Sequence, residues 1–392
     1  IHTINHQNRY QMKFKAMIIL LIFSHSINTF AQTSYFPDDQ WQRKKPVELK
    51  MSAVLIDSAV NFAIRNESKV DKDLRVSMLK SYVREPNYYI KGPTRRREGP
   101  NGLIIKNGYI VAEWGDIQRV EMTFSVTKSF LSTVAGLAVQ DKLIKNITDP
   151  VHIYVSDGTF DGVHNQKITW EHLLHQSSDW TGTLFGLHDW ADRPPKDGEQ
   201  DDWVRRQLLM PGTVFEYNDV RVNLLAYALL NVWRKPLPII LKEKIMDPIG
   251  ASVTWRWHGY EDSFVTLDGL SMQSVSGGGH HGGGLFSNSM DLARLGLLFL
   301  RQGNWNGKQL LAKSWIKAAT TPSPSAGDYG YMWWLNHDKK WRNLPGEIYY
   351  AVGYGGNYII IDPTNDLVVV TRWLDNDGLE EFVKLVVSSI QK

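Results

Sequence analysis

Three short stretches carry residue types that could do covalent chemistry. Ser125-Val126-Thr127-Lys128 places a hydroxyl and an amine three residues apart at the expected start of a helix. Residues i and i+3 share a helix face, so the Lys128 amine comes within hydrogen-bond reach of the Ser125 hydroxyl. A serine hydroxyl is a weak nucleophile until a neighbouring base takes its proton. Lysine serves as that base once burial and adjacent positive potential favour its neutral form. The helix start adds backbone N–H groups aimed at a developing oxyanion. Further along, Phe215-Glu216-Tyr217-Asn218-Asp219 follows Pro211-Gly212 and offers a phenol to relay the serine proton to a leaving group. Last comes Ala351-Val352-Gly353-Tyr354-Gly355-Gly356, where glycine permits close backbone approach to a substrate. Each stretch alone has an ordinary explanation: a solvated lysine, a core tyrosine, a tight turn. Their combination in one chain points to acyl transfer through a serine.

Other chemistries find less support. Gly277-Gly278-Gly279-His280-His281-Gly282 satisfies G-x-G-x-x-G. It follows no apolar strand, however, and lacks an acid about 20 residues on to hold a ribose. His172 and His175 lie one turn apart without forming H-E-x-x-H, and with His280 and His281 they read as structural histidines rather than a metal site. No G-x-S-x-G elbow and no P-loop occur. The absence of cysteine removes disulfides, thiol nucleophiles and Cys-ligated metals. No metal or organic cofactor is expected. The 44 basic and 41 acidic residues give +3, and three of the basic ones (Arg9, Lys13, Lys15) precede Gln32, so the remainder is neutral. A neutral chain has no electrostatic footprint for nucleic acid. An apolar fraction of 43% with 15 Trp supplies a packed core and excludes global disorder.

The elements that must position these residues follow from periodicity. Residues 1–31 read as a leader: Met12-Lys13-Phe14-Lys15 is basic, 16–23 is apolar, and Thr29-Phe30-Ala31 fits a cleavage site. The apolar run is shorter than the ~20 residues that span a bilayer, so cleavage and export to the periplasm or medium are expected, without membrane insertion afterwards. The residues before Met12 read as an upstream extension. Helices are expected over 53–64, 125–139, 168–176, 220–233, 291–301, 312–320 and 379–390. Asn107-Gly108 between two apolar runs predicts a β-hairpin, and 358–361 and 367–370 predict paired strands. Strands at both ends and helices between them suggest an antiparallel α+β unit, about 32–130 and 280–392, with a helical part inserted at about 131–279.

With these stretches in place, the sequence resembles the serine β-lactamase/penicillin-binding-protein-like family. The similarity lies in its branch of class C β-lactamases, D-aminopeptidases, family VIII esterases and 6-aminohexanoate-dimer hydrolases. Ile168-Thr169-Trp170-Glu171-His172-Leu173-Leu174-His175-Gln176-Ser177-Ser178, Pro211-Gly212 to Asn223, Gly282-Gly283-Gly284-Leu285, Asp291-Leu292-Ala293 and Tyr329-Gly330-Tyr331-Met332-Trp333-Trp334 carry the resemblance beside S-x-x-K. It implies the β-lactamase/DD-peptidase fold, an antiparallel sheet flanked by helices plus an inserted helical domain in residues 32–392. It also implies Ser125 as nucleophile, Lys128 as base and Tyr217 as proton relay, with the backbone N–H groups of Ser125 and Tyr354 as oxyanion donors. Asp219 stands where the family's Y-x-N motif has Asn, and a carboxylate there stabilises the protonated amine. Ala351-Val352-Gly353 stands where the family has K-T-G or H-x-G, so the cation is missing. That favours esters or amides over β-lactams. Trp180, Trp190, His281, the Trp333-Trp334 pair, Ala351, Gly353 and Gly355 are candidate walls for a small ester, amide or peptide substrate. A β-lactam or D-amino-acid peptide substrate is the alternative reading, and a non-catalytic ligand-binding descendant is the second. The sequence leaves the oligomeric state open.

Overall fold

In the computed structural model, Asn107 and Gly108 both have positive φ, 52° and 87°. That is what a two-residue type I′ turn demands. Strands Asn101–Lys106 and Tyr109–Trp114 pair antiparallel on either side of it. The structure describes residues 35–391 apart from 87, 88, 196 and 339, so the leader expected at 1–31 lies outside the described residues. Residues 35–392 form one unit.

The hairpin closes one end of a six-stranded antiparallel sheet. From the other edge the order is Trp334–Leu335, Tyr349–Gly353, Asn357–Asp362, Leu367–Arg372, Asn101–Lys106 and Tyr109–Trp114. Strand side chains alternate between faces with period two. Ile359, Ile361, Val368 and Val370 pack on one side with Leu103 and Ile105, while Tyr358, Ile360, Leu367 and Val369 pack on the other with Ile104. Both faces are therefore covered, which explains why these strands read as unbroken apolar runs. Helix Ser289–Leu300 lies on the first face, together with the core around helix Thr127–Gln140. Helices Ala53–Arg65 and Leu379–Ser388 cover the second. Among the described residues no single helix is long and apolar enough to cross a membrane.

The inserted segment 131–279 departs from the helical expectation. Helix Asp219–Trp233 is present, but Arg256–Leu267 and Leu270–Val275 form a long hairpin. With Gly284–Ser287 and Glu121–Met122 they make a four-stranded antiparallel sheet. Its turn, Asp268-Gly269, again has two positive φ angles, 52° and 77°. The helix expected over 168–176 shrinks to Trp170–Leu174, because Gln176 (φ 53°) and Asp179 (φ 45°) turn the backbone out of the helical region. The helix expected from Ser125 starts as a 3₁₀ turn, Phe124–Val126, before Thr127–Gln140 continues as α-helix. That turn joins the small sheet to the site.

Candidate active site

Phe124 has φ 49°, a left-handed conformation that costs a residue with a Cβ roughly 1–2 kcal/mol. Burial of its ring against Tyr354, centroids 5.2 Å apart, helps to hold the turn. The bend redirects the chain from strand Glu121–Met122 into the helix and leaves Ser125 half-buried on the wall of a cavity of about 480 Å³. Lys128, one turn on, is 1% exposed. Its Nζ donates to Ser125 Oγ at 2.7 Å and to Asp219 Oδ1 at 2.6 Å. Asp219 opens helix Asp219–Trp233, where the helix dipole favours an anion. The preceding Asn218 fixes that start: its side chain accepts from Arg221 N–H and donates to Asp189 O, and its own N–H reaches Gln176 Oε1. A Cβ at Gly278 would overlap both Asp219 Oδ1 and Lys128 Nζ, so only glycine fits over the pair.

Tyr217 lines the same cavity, with its ring face toward the amine: Lys128 Nζ lies 4.6 Å from the ring centroid. Its hydroxyl makes no hydrogen bond to Ser125 or Lys128 among the described residues. The ring stacks on Trp334, 5.9 Å between centroids. Strand Tyr349–Gly353 runs up against the Ser125 turn, and a Cβ at Gly353 would overlap the Thr123 carbonyl oxygen. This close approach puts Gly353 and Tyr354 on the cavity wall with Ser125.

Beside Asp219 lies a charge network in which buried Asp192, Glu85 and His280 surround Arg193, whose side chain is 36% exposed on the cavity wall. Arg193 donates from Nη1 to both Asp192 oxygens (2.6 and 2.8 Å) and from Nη2 to Asp219 Oδ2 (2.7 Å) and His280 Nδ1 (3.0 Å). A guanidinium only donates, so His280 Nδ1 accepts and its Nε2–H donates to Glu85 at 2.6 Å. Asp192 also accepts the backbone N–H of Asp219. Burial alone would push the Asp219 carboxyl up, but Lys128 and Arg193 outweigh it and hold the group well below the usual carboxylate range. Asp192 moves the opposite way, to about 6, because burial and the charge of Asp219 exceed the pull of Arg193. Burial, with the charge of Arg193, lowers His280 to about 4, so the imidazole is neutral near pH 7.

The structure thus brings Ser125, Tyr217, Asp219, Gly353, Tyr354, Gly355 and Trp334 to one cavity, with Lys128 buried just behind its wall and bonded to Ser125 and Asp219. Other candidate walls lie elsewhere. Trp180 is 2% exposed in the main core, and its indole N–H is committed to Thr159 O. His281 is buried against the Tyr89 carbonyl, and it is His280 that reaches the cavity. Ala351 packs in the main core and does not line the cavity, whereas Val352 does. Trp333 packs on Phe299 and Tyr349, and Trp190 stacks on His188. Sequence reasoning missed Arg193, Asp192 and Glu85, none of which belongs to a motif. Only the loop glycines beside His280 hinted at a crowded site.

Comparison with known proteins identifies the fold and the family. The Beta-lactamase family model matches residues 118–380, more than half of the chain. A provisionally named D-alanyl-D-alanine carboxypeptidase of Escherichia coli O157:H7 is 25% identical over 218 residues. That match covers 44% of this chain and 48% of the relative, so the chain spans about half the length of that relative. The 6-aminohexanoate-dimer hydrolase of Paenarthrobacter ureafaciens is 23% identical over 73% of this chain and 77% of its own. A family VIII carboxylesterase of known structure superposes with a TM-score of 0.55 at 14% identity, covering 80% of this chain and 96% of that one. With a family match that runs from just ahead of the Ser125 turn into the C-terminal helix, the chain belongs to the Beta-lactamase family.

Proposed function

We propose that this protein is an exported serine hydrolase that cleaves small uncharged esters or amides through an acyl-enzyme on Ser125. The observation that carries the reading is the buried Lys128 amine held between Ser125 Oγ and Asp219, two residues of the cavity wall. Ser125 Oγ attacks the carbonyl carbon while Lys128 takes its proton. The backbone N–H groups of Ser125 and Tyr354 serve the oxyanion. The proton passes to the departing alcohol or amine, with Tyr217 beside its path, and water then frees the acid and restores the serine. General acid–base help of this kind contributes about 10²–10⁴-fold.

The preference for uncharged substrates rests on where the cations are. Alanine at 351 offers none, and both terminal nitrogens of Arg193 are taken by Asp192, Asp219 and His280. The remaining cation on the wall, Lys69, is largely solvent-exposed at the rim beside Asp375. A β-lactam or a D-alanyl peptide brings a carboxylate that this interior leaves unpaired. Export is supported by the basic start and apolar run within residues 12–31.

The test is intact-protein mass spectrometry after a fluorophosphonate probe, on wild type and Ser125→Ala. One adduct on wild type, absent from the variant, is expected. Turnover of short esters and amides should then exceed that of a chromogenic cephalosporin. A folded wild type that takes no adduct overturns the reading.

A further inference from the structure

Lys128 takes a proton from Ser125 only as a neutral amine, yet the carboxylate at 2.6 Å favours the ammonium. If the amine gave up its proton with no other cation near, Asp219 would become an unpaired buried anion, a state that protein interiors strongly disfavour. The geometry supplies a second partner. Arg193 Nη2 lies 2.7 Å from Asp219 Oδ2, the oxygen opposite the one Lys128 holds. Arg193 is fixed in turn by Asp192, which also accepts the Asp219 N–H, and by the His280 ring that Glu85 orients.

We propose, on the reading of Ser125 as a lysine-activated nucleophile, that Arg193 is the positioning residue that keeps Asp219 paired while Lys128 is neutral. It thereby makes the base state accessible despite the carboxylate. It also returns to the site a positive charge that the strand lacks at Ala351. The other groups facing Lys128 do not take over this role. Ser125 and Tyr217 carry no positive charge, and His280 and His281, each lowered to about 4 by burial, are neutral near pH 7. Tyr82, which packs on His280 and is pushed up by burial, stays a phenol. Asp192 and Glu85 add negative charge and so act against the neutral amine. Arg193 sits in a non-helical stretch with φ 49°, held in place by these side chains rather than by a regular element.

The experiment follows the rate of Ser125 phosphonylation against pH in wild type, Arg193→Met and Arg193→Lys. Arg193→Met should slow the reaction about tenfold or more at pH 7 and recover as pH rises, with the limb moved up by about one to two units. Arg193→Lys keeps a cation near Asp219 and should hold its limb close to wild type. Arg193→Gln keeps a donor without the charge and replaces Arg193→Met if the latter does not fold. Loss of equal size at every pH, or no rescue by lysine, would mean that Arg193 only supports the fold, and the proposal falls. A second readout needs no reaction: the ¹³Cε signal of Lys128 should switch at higher pH in Arg193→Met than in wild type. Identical curves also overturn the proposal. If wild type takes no adduct, the proposed hydrolase function fails while the carbon titration still decides the role of Arg193.

Discussion

Removing the Ser125 hydroxyl takes one polar atom from a half-open cavity wall and leaves Lys128 paired with Asp219. Ser125→Ala should therefore change unfolding free energy by only about 0.5 kcal/mol, while phosphonate labelling and turnover disappear. Chemical denaturation beside the labelling assay checks both halves, and a variant that unfolds would make Ser125 structural. Asp219 invites the opposite experiment. Asp219→Asn keeps an acceptor for Lys128 at the same place but removes the charge that favours the ammonium. Its acylation limb should move down by about one pH unit, against the rise expected on losing Arg193. An unchanged limb would show that the Asp219 charge does not govern the base. Sequence reasoning put a carboxylate beside Lys128 from spacing and resemblance, but not the arginine that offsets it. S-x-x-K is local to one turn, whereas Arg193 lies 65 residues beyond Lys128, on a stretch with no periodic pattern.

Among the elements, strand Tyr349–Gly353 and the Ser125 turn make the tightest demand. Gly353→Ala must push that strand away from the Thr123 carbonyl and carry the Tyr354 peptide with it. Losing one oxyanion donor costs about 10²–10³-fold, so acylation should fall by that order, with Arg193-dependent pH behaviour retained. A rate near wild type would show that the strand has room to shift and that the Tyr354 N–H is not used. The glycine run was legible because glycine types mark close approach, and both type I′ hairpins carried their signal in Asn107-Gly108 and Asp268-Gly269. The second hairpin was passed over. Its strand Arg256–Leu267 has a register irregularity between Gly259 and Phe264, which breaks the alternation that would have revealed it. Helix starts fell within a residue of expectation at Asp219–Trp233 and Ala53–Arg65, which Asn218 and Ser52 cap, whereas Leu74–Ser81, capped by Asp73 but without an apolar period, was passed over.

For the whole molecule, the buried ionisable groups set a pH dependence of stability. Burial lowers His175, His280 and His281 to about 4 from 6.5. The unfolded chain then binds about three more protons than the folded one between those values, so stability falls as pH drops from 6.5 towards 4. His172 and His258 are lowered too, and act in the same direction. Asp192, raised to about 6, acts in the opposite sense, since its contribution is lost as pH rises from the ordinary carboxylate range to about 6. Asp291 and Asp362, also raised by burial, act with Asp192 and offset the histidines in part, while the histidines set the direction of the decline below pH 6.5. Asp219, held low, adds its loss only at more acid pH. Urea unfolding at pH 7, 6 and 5 should show the decline, and a flat profile would mean that these histidines are protonated in the folded state.

The sequence by itself determined the family and the strand pair Asn357–Asp362 and Leu367–Arg372, and it singled out Ser125, Lys128 and Tyr217, which the fold brings together. These depend on local spacing, cap chemistry and hydrophobic period, which act over a few residues. Only the tertiary structure decided which residues share the cavity. It set Trp180, His281 and Ala351 apart from the cavity and joined Glu85, Asp192, Arg193, Asp219 and His280 into one charge network. Coulomb interaction and desolvation depend on distance in space. Folding brings these groups from well-separated parts of the chain to one side of the cavity, where the buried charges among them must find partners.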